Sequence, residues 1–343
     1  MKALVLRQYN CLVYEDVPDP CPGEGEVLVA VKACGICGSD VHGMDGSTGR
    51  RRPPIIMGHE AAGIIAGLGA GVTGWEEGDR VTFDSTVFCR SCTYCRRGLI
   101  NLCDRRRVLG VSCAEYHQQG AFAEYLAVPA HILHPLPPNT SFVQAAVTEA
   151  LAIAVHAAER APRLLGASAL IVGVGMIGSL LAQVLRVMGY GKVFVVDTAK
   201  EKLESALHLG ADVALNPGET DVTAEVLRRT GGSGVDVAFE AVGTDDTVKT
   251  TIGSVRKGGS VVLIGNVKPA VDFPLQAVVT RQITLYGSCA SAGEYPTALD
   301  LIADGKVKVD ALISATASLA DGAEWFRRLY QREPGLMKVV LCP

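Results

Sequence analysis

The sequence predicts an α/β protein of two domains, a β-rich barrel in front and a doubly wound parallel sheet behind it. Three observations carry this. At 343 residues the chain is too long for one compact core. Its first part, residues 1 to 140, holds short apolar runs punctuated by Gly, Pro and Asp. From residue 167 to 285, β-branched runs alternate with helical patterns, which implies parallel strands joined by right-handed crossovers.

Taken in order, Ala3–Leu6, Glu26–Val31 and Ala61–Ala66 read as strands. Pro18-Asp19-Pro20, Pro22-Gly23, Pro53-Pro54 and Gly78-Asp79 break them apart. Residues 142–160 read as one helix, Ala-rich through Ala157 and Ala158. Strands are then expected at Leu170–Val172, Val193–Val196, Val213–Leu215, Val235–Phe239, Ser260–Ile264 and Ile283–Tyr286. The tail predicts helices near Tyr295–Asp304 and Ala320–Arg332 and a last strand at Lys338–Leu341.

Composition narrows the function. Hydrophobic content of 48% and charged content of 20% describe an ordinary globular chain. A net charge of −4 and a pI near 6.0 argue against a nucleic-acid partner, which would want a basic stripe. Leu4–Leu6 is cut short by Arg7, so no export signal is expected. The 11 cysteines are then expected to serve as thiols and metal ligands in the cytoplasm. Ala167–Leu185 is uncharged and long enough to suggest a membrane span. Its β-branched start, its glycines at turn spacing and the strand that follows favour a nucleotide-binding unit, so no membrane partner is expected.

That unit runs from Ala169 to Asp197. An apolar strand leads into Gly173-x-Gly175-x-x-Gly178, then a helical pattern with Ile177, Leu180, Leu181, Val184, Leu185 and Met188 on one face. Gly173 permits the tight turn, Gly175 lets backbone approach a pyrophosphate, and Gly178 lets helix pack close to strand. The helix N-terminus offers free N–H groups to the phosphates. Asp197, 19 residues past Gly178, can bind ribose hydroxyls. Its carboxylate repels a 2′-phosphate, and Thr198 and Ala199 supply no cation, so NAD is expected over NADP.

Two clusters point to metal. Cys89-x-x-Cys92-x-x-Cys95, followed by Cys103, can close a tetrahedral four-thiolate shell, as a structural zinc requires. An iron–sulfur cluster or disulfides are the rival readings, and Asp104 stands where a bacterial ferredoxin usually has Pro. The second group is looser: Cys34, Cys37, His42, His59-Glu60 and Glu149. Spacing alone does not unite these residues. Cys34 and Cys37 also read as small core residues, His59-Glu60 as a solvated turn, and Glu149 as a water-facing helix position.

The segments Gly35–His42 (GICGSDVH), Gly58–Glu60 (GHE), the four-cysteine lobe, Gly120–Tyr125 (GAFAEY), GVGMIG and Met337–Leu341 (MKVVL) together resemble the zinc-dependent medium-chain dehydrogenase/reductase family. The resemblance spans essentially the whole chain and is strongest to the polyol branch of sorbitol, galactitol-1-phosphate, threonine and butanediol dehydrogenases. It implies a GroES-like catalytic domain over 1–150, completed by 289–343, and a Rossmann NAD-binding domain over 151–288. It implies two zincs per chain, the second held by Cys37, His59 and Glu149, with Glu60 a ligand in some states. It further implies that Ser39 takes the substrate proton, Asp40 orients the ligand His, and His42 ends the relay to solvent. Met176, Ile177, Lys202, Val242, Ile264, Gly265, Gly287 and Ser288 join the three loop glycines and Asp197 as cofactor contacts by the same resemblance. Two departures stand out, Ala150 where Pro usually follows the glutamate and Gly120-Ala121 in place of a double glycine.

The implied activity is oxidation of a secondary alcohol, a polyol or vicinal diol, to a ketone with NAD. The partners implied are a small-molecule alcohol and further copies of the chain in a homodimer or homotetramer. Arg50-Arg51-Arg52 reads as a solvated loop or as a grip on a phosphorylated substrate. The competing readings are a zinc-free quinone or enone reductase on the same fold, and a redox or zinc sensor that binds NAD without turnover. Cys11, Cys21, Cys113, Cys289 and Cys342 have no role legible in the sequence.

Overall fold

The computed structural model describes residues 1–343. It divides into two compact units. The first comprises Met1–Glu149, Tyr295–Asp304 and Val309–Pro343, and the second Ala150–Glu294 and Gly305–Lys308. The tail thus rejoins the first unit at Tyr295, not at residue 289. Tyr295 is fully buried there, its hydroxyl accepts from Ser85 N at 3.3 Å, and its ring stacks on His134. Gly305–Lys308 stays with the second unit, where Lys308 N donates to Gln183 Oε1 at 2.7 Å.

The first unit is built on a seven-stranded sheet. Its path runs Leu133–Pro135, Arg80–Phe83, Glu60–Leu68, Glu26–Gly35, Lys338–Cys342 and Ile313–Ser318, with Tyr125–Pro129 also paired to Glu26–Gly35. The strand Glu26–Gly35 is the hub, and one register position matters for function. Gly35 lies opposite Glu60 on one side and Val340 on the other. The core beneath includes Leu4, Leu6, Val29, Ile65, Phe83 and Phe122, with Phe122 edge-to-face on Phe326 at 5.5 Å.

The strand Ile313–Ser318 has no strong sequence signal, because its burial alternates and its residues are mostly small. The single helix expected over 142–160 is two helices, Phe142–Ala145 and Thr148–Arg160. A reciprocal capping box between Ser141 and Gln144 starts the first. Ala150 sits inside the first turn of the second, so the missing Pro leaves that helix intact.

The second unit is a six-stranded parallel sheet in the order Val213–Leu215, Val193–Val196, Ala169–Val172, Val235–Glu240, Val255–Leu263, Thr284–Gly287. This is the 3-2-1-4-5-6 order of a dinucleotide-binding sheet, with its switch point between Ala169–Val172 and Val235–Glu240. The helix Met176–Val187 is buried from Gly178 through Leu185, which is why it carries no charge there. No helix of the structure is long and apolar enough to cross a membrane.

Candidate metal centre and nucleotide site

The first cluster forms in the first unit around Gly35. Cys37 caps the short helix Gly38–Gly43, and its sulfur accepts from Ser39 N at 3.4 Å and Ser39 Oγ at 3.2 Å. His59 follows Gly58, whose φ of +93° only glycine adopts freely. A Cβ on Gly58 would also stand 2.9 Å from Cys34 Sγ and 3.0 Å from Phe122. The segment Gly120–Phe122 supports this turn, since Ala121 N donates to Gly58 O and Phe122 N to Met57 O. Gly120 is the position that must be glycine, as a Cβ there would meet Gly58 O at 2.3 Å. Ala121 is fully buried without displacing it, so the lost second glycine does not alter the loop.

Ligand atoms of Cys37, His59 and Glu60 all lie within 4.8 Å of one another. Spacing in sequence could not bring them together; the Gly35–Glu60 register does. Glu149 stands outside this group. It is 9% exposed, and its Oε1 accepts from Ser85 Oγ at 3.2 Å. Burial pushes the Glu149 carboxyl up to about 7, with Glu60 and Asp84 adding to the rise and His59 opposing it.

Glu60 is met by Lys338, whose Nζ lies 2.5 Å from Glu60 Oε2 and 2.9 Å from Ile36 O. Both side chains are almost fully buried, and they meet over Gly35, where a Cβ would stand 2.4 Å from Glu60 Oε2. Burial lowers the Lys338 ammonium, but the charges of Glu60 and Cys37 outweigh it and hold it above its usual value.

On the other side of the cluster, Asp40 is wholly buried beneath His59, with Asp40 Oδ2 and His59 Nδ1 3.4 Å apart. Neither atom has a hydrogen bond of good geometry. Burial opposes the His59 cation, yet Asp40 and Cys37 raise it well above the ordinary histidine value. Burial also opposes the Asp40 carboxylate, which His59 and Arg51 hold down at about 2.

This donor set suits zinc. A thiolate, an imidazole and a carboxylate converge, and the imidazole's far nitrogen faces a carboxylate that would fix its tautomer. Ser39 is exposed beside Cys37, and His42 is exposed on the same short helix. Arg51 corrects the reading of the arginine run. It is neither solvated nor turned toward a ligand, but 3% exposed and paired with Asp40. Lys338, Ser85 and Tyr295 are parts of this site that the sequence left unmarked.

The second cluster is the lobe. The sulfurs of Cys89, Cys92, Cys95 and Cys103 lie within 4.8 Å of one another. Backbone amides surround them: Cys89 N to Cys103 Sγ at 3.3 Å, Cys92 N to Cys89 Sγ at 3.4 Å, and Arg105 N to Cys103 Sγ at 3.4 Å. Such donors stabilise thiolates, and those of Ser91 and Cys92 hold the Cys89 thiol down at about 5. Burial and the neighbouring thiols push Cys95 up to about 12. Four sulfurs with no open position fit a structural zinc.

In the second unit the glycine loop behaves as its spacing requires. Gly173 has φ +96°, and a Cβ there would meet Val242 Cγ2 at 2.4 Å. Around Gly175 the space is open. A Cβ on Gly178 would lie 1.9 Å from Gly173 O. The helix starts at Gly175 with no side-chain cap, which leaves its first N–H groups free for phosphate. Asp197 Oδ2 accepts from Val174 N and Oδ1 from Ala199 N, each at 3.0 Å, so the acid is pinned beside the loop.

Val242, Ile264, Gly265, Gly287 and Ser288 lie at or just beyond the carboxyl ends of three neighbouring strands, where such sheets bind ligands. Glu240 ties the first three together. Its buried Oε1 accepts from Val242 N and Gly243 N, and its carbonyl from Ile264 N and Gly265 N. Lys202 is half-buried on the helix Lys200–His208. Replacing Gly178 with Ala is expected to cost about 1–3 kcal/mol of stability, because the contact is with backbone that cannot move aside. Thermal denaturation and nucleotide titration of the variant check this.

Comparison with known proteins decides the family. Residues 23–138 match the family described as alcohol dehydrogenase GroES-like domain, and residues 176–304 match zinc-binding dehydrogenase. The chain belongs to the zinc-binding alcohol dehydrogenase family. The dehydrogenase is 33% identical to D-xylulose reductase A of Aspergillus oryzae over 95% of its own length and 93% of the relative's. It is 31% identical to sorbitol dehydrogenase of Bacillus subtilis over 100% and 97%. Among solved structures, a zinc-binding dehydrogenase of Sinorhizobium meliloti bound to NADP superposes with a TM-score of 0.90 at 31% identity, covering 100% and 99%. An enzyme of Escherichia coli CFT073 complexed with NADH, described as a short chain alcohol dehydrogenase, gives 0.93 at 29%, covering 100% and 99%.

Proposed function

We propose that the dehydrogenase oxidises a secondary alcohol of the polyol or vicinal-diol class to a ketone, using NAD. The observation that carries this is the convergence of Cys37, His59 and Glu60 within 4.8 Å, with the Ser39 hydroxyl 3.2 Å from the Cys37 sulfur. Cys37, His59 and a carboxylate, Glu60 or the neighbouring Glu149, would hold a zinc. Zinc in such a site supplies a Lewis acid that lowers the pKa of an alcohol hydroxyl. Asp40 holds the His59 tautomer that leaves the ligating nitrogen's lone pair free. Lys338 keeps Glu60 tethered. Ser39 takes the alcohol proton, and His42, exposed on the same helix, passes it to solvent. The four lobe cysteines would hold a second, structural zinc.

NAD is the hydride acceptor in this reading. Gly173, Gly175, Met176, Ile177 and Gly178 cradle its pyrophosphate, and Asp197 keeps lone pairs for the ribose hydroxyls. Val242, Ile264, Gly265, Gly287 and Ser288 line the nicotinamide end, and Lys202 flanks the adenosine. A relative binds NADP, so the choice of NAD rests on Asp197. Asp197→Ala is expected to weaken NAD about tenfold or more and NADP far less, since hydrogen bonds to a charged group are lost only for NAD. Equal losses in a fluorescence titration contradict the assignment.

The relatives named sorbitol dehydrogenase and D-xylulose reductase support a polyol substrate. Arg50 and Arg52, both exposed, remain to meet a phosphate; Arg51 does not. We place the chain in a homodimer or homotetramer. Thr284–Gly287 is the outermost strand of its sheet, and Leu275 and Val279 just before it are exposed. None of the 11 cysteines is paired in a disulfide, which suits the reducing cytoplasm. The test is NADH formation from polyols, sugar-phosphate alcohols, diols and threonine by zinc-replete enzyme. Activity with one secondary-alcohol class supports the reading; none with any class contradicts it.

A further inference from the structure

Of three consecutive arginines only Arg51 turns inward. It is 3% exposed, while Arg50 and Arg52 face solvent. A buried guanidinium is costly unless its donors are met. Here all three nitrogens find acceptors. Nε and Nη2 meet Asp40 Oδ1 at 2.9 and 2.7 Å, Nη2 also reaches Ser39 Oγ at 3.3 Å, and Nη1 donates to Arg50 O at 3.1 Å. Gly43 makes the room, since a Cβ there would stand 2.5 Å from Arg51 Cγ. The two acceptors have different jobs. Asp40 turns its other oxygen to His59 Nδ1 at 3.4 Å, and Ser39 Oγ lies 3.2 Å from Cys37 Sγ. One cation therefore touches both the support of a metal-ligating histidine and the hydroxyl that receives the substrate proton.

We propose that Arg51 is a positioning residue that sets both halves of the alcohol-oxidising centre at once, the histidine through Asp40 and the proton acceptor through Ser39. This rests on the reading of the centre given above. The planar fork supplies what a point charge cannot, two separate donors in fixed directions. Its N–H to Ser39 Oγ occupies one lone pair and fixes the hydroxyl's rotation. Oγ releases its own proton toward water as the alcohol proton arrives on the remaining lone pair, with release running ahead of arrival. The Arg51 N–H stays on Oγ throughout and stabilises the partial negative charge that builds on it.

The test uses full-length, zinc-replete Arg51→Met and Arg51→Lys enzymes. Thermal midpoint, kcat and KM are measured, together with zinc release to a chelator, in which the four-cysteine site serves as internal control. In Arg51→Met, release from the Cys37 site is expected to quicken about 10–100-fold with the lobe phase unchanged, and kcat to fall by a similar factor. Arg51→Lys keeps a cation for Asp40 but lacks the fork. Its zinc release should return to within about threefold of wild type while kcat stays about tenfold low at unchanged KM. In a Ser39→Ala background, Arg51→Lys should cost less than about twofold more.

A lysine that restores kcat along with metal retention overturns the proposal, as does unchanged release in Arg51→Met. An equal kcat loss from Arg51→Lys with and without Ser39 also overturns it. If Arg51→Met does not fold, the lysine variant and its Ser39→Ala cycle decide. If the wild-type enzyme oxidises no alcohol, the function reading falls by itself, and the release phases of the lysine and methionine variants judge the proposal.

Discussion

Replacing Cys37 with Ala is expected to reduce alcohol oxidation at least about 1,000-fold while nucleotide still binds. Three lines converge on the size of this effect. Cys37 supplies the sulfur of the proposed metal-ligand group and caps the helix that carries Ser39, whose amide and hydroxyl both donate to that sulfur. Loss of Lewis-acid assistance forfeits several kcal/mol of transition-state stabilisation, and each 1.36 kcal/mol is about tenfold in rate. The glycine loop and Asp197 belong to the other compact unit, which has its own parallel sheet and core. Isothermal titration with NADH beside a rate assay separates the two effects. A variant that retains more than about a tenth of wild-type kcat would remove Cys37 from the centre.

The second large effect is on stability. Cys103→Ser should empty the lobe of its metal and lower the thermal midpoint by about 10 °C. The lobe has little else to hold it. Tyr94, Leu99 and Leu102 are exposed, and the helix Thr93–Arg96 is a single turn. Its ordering depends on four sulfurs converging, and structural zinc contributes folding free energy directly. A loss of about 3 kcal/mol corresponds to about 6–12 °C in a unit of this size. Calorimetry and limited proteolysis check it, with cleavage expected between Phe88 and Val108. Unchanged melting with the zinc gone would show that the sulfurs do no structural work.

What the sequence made legible follows from how local each feature is. The glycine loop needs three residues within six positions, and Asp197 follows one helix later, so the spacing carries the geometry. The four-cysteine lobe is equally compact. The group around Cys37 is different. Cys37, His59 and Glu60 meet because Gly35 pairs with Glu60 across two strands, and no short-range pattern encodes that register. Resemblance supplied those residues, Glu60 as a ligand in some states, and added Glu149, which lies outside the group formed by the other three. The inward roles of Lys338 and Arg51 were hidden for one reason: surface patterning reads such cations as solvated, and their burial depends on contacts made at Gly35 and Gly43. The break in the helix at 146–147 was hidden by an alanine-rich run that suits either outcome.

The reading of this chain as a metal-dependent alcohol dehydrogenase is most directly tested by titrating zinc into metal-free enzyme and following NADH formation from a sugar alcohol. The account predicts two zincs per chain, with activity rising only as the Cys37 site fills and absent when the four-cysteine site alone is loaded. Full activity at one zinc per chain, held by Cys89, Cys92, Cys95 and Cys103, would contradict it, because the alcohol would then be oxidised with no metal at the Cys37 site.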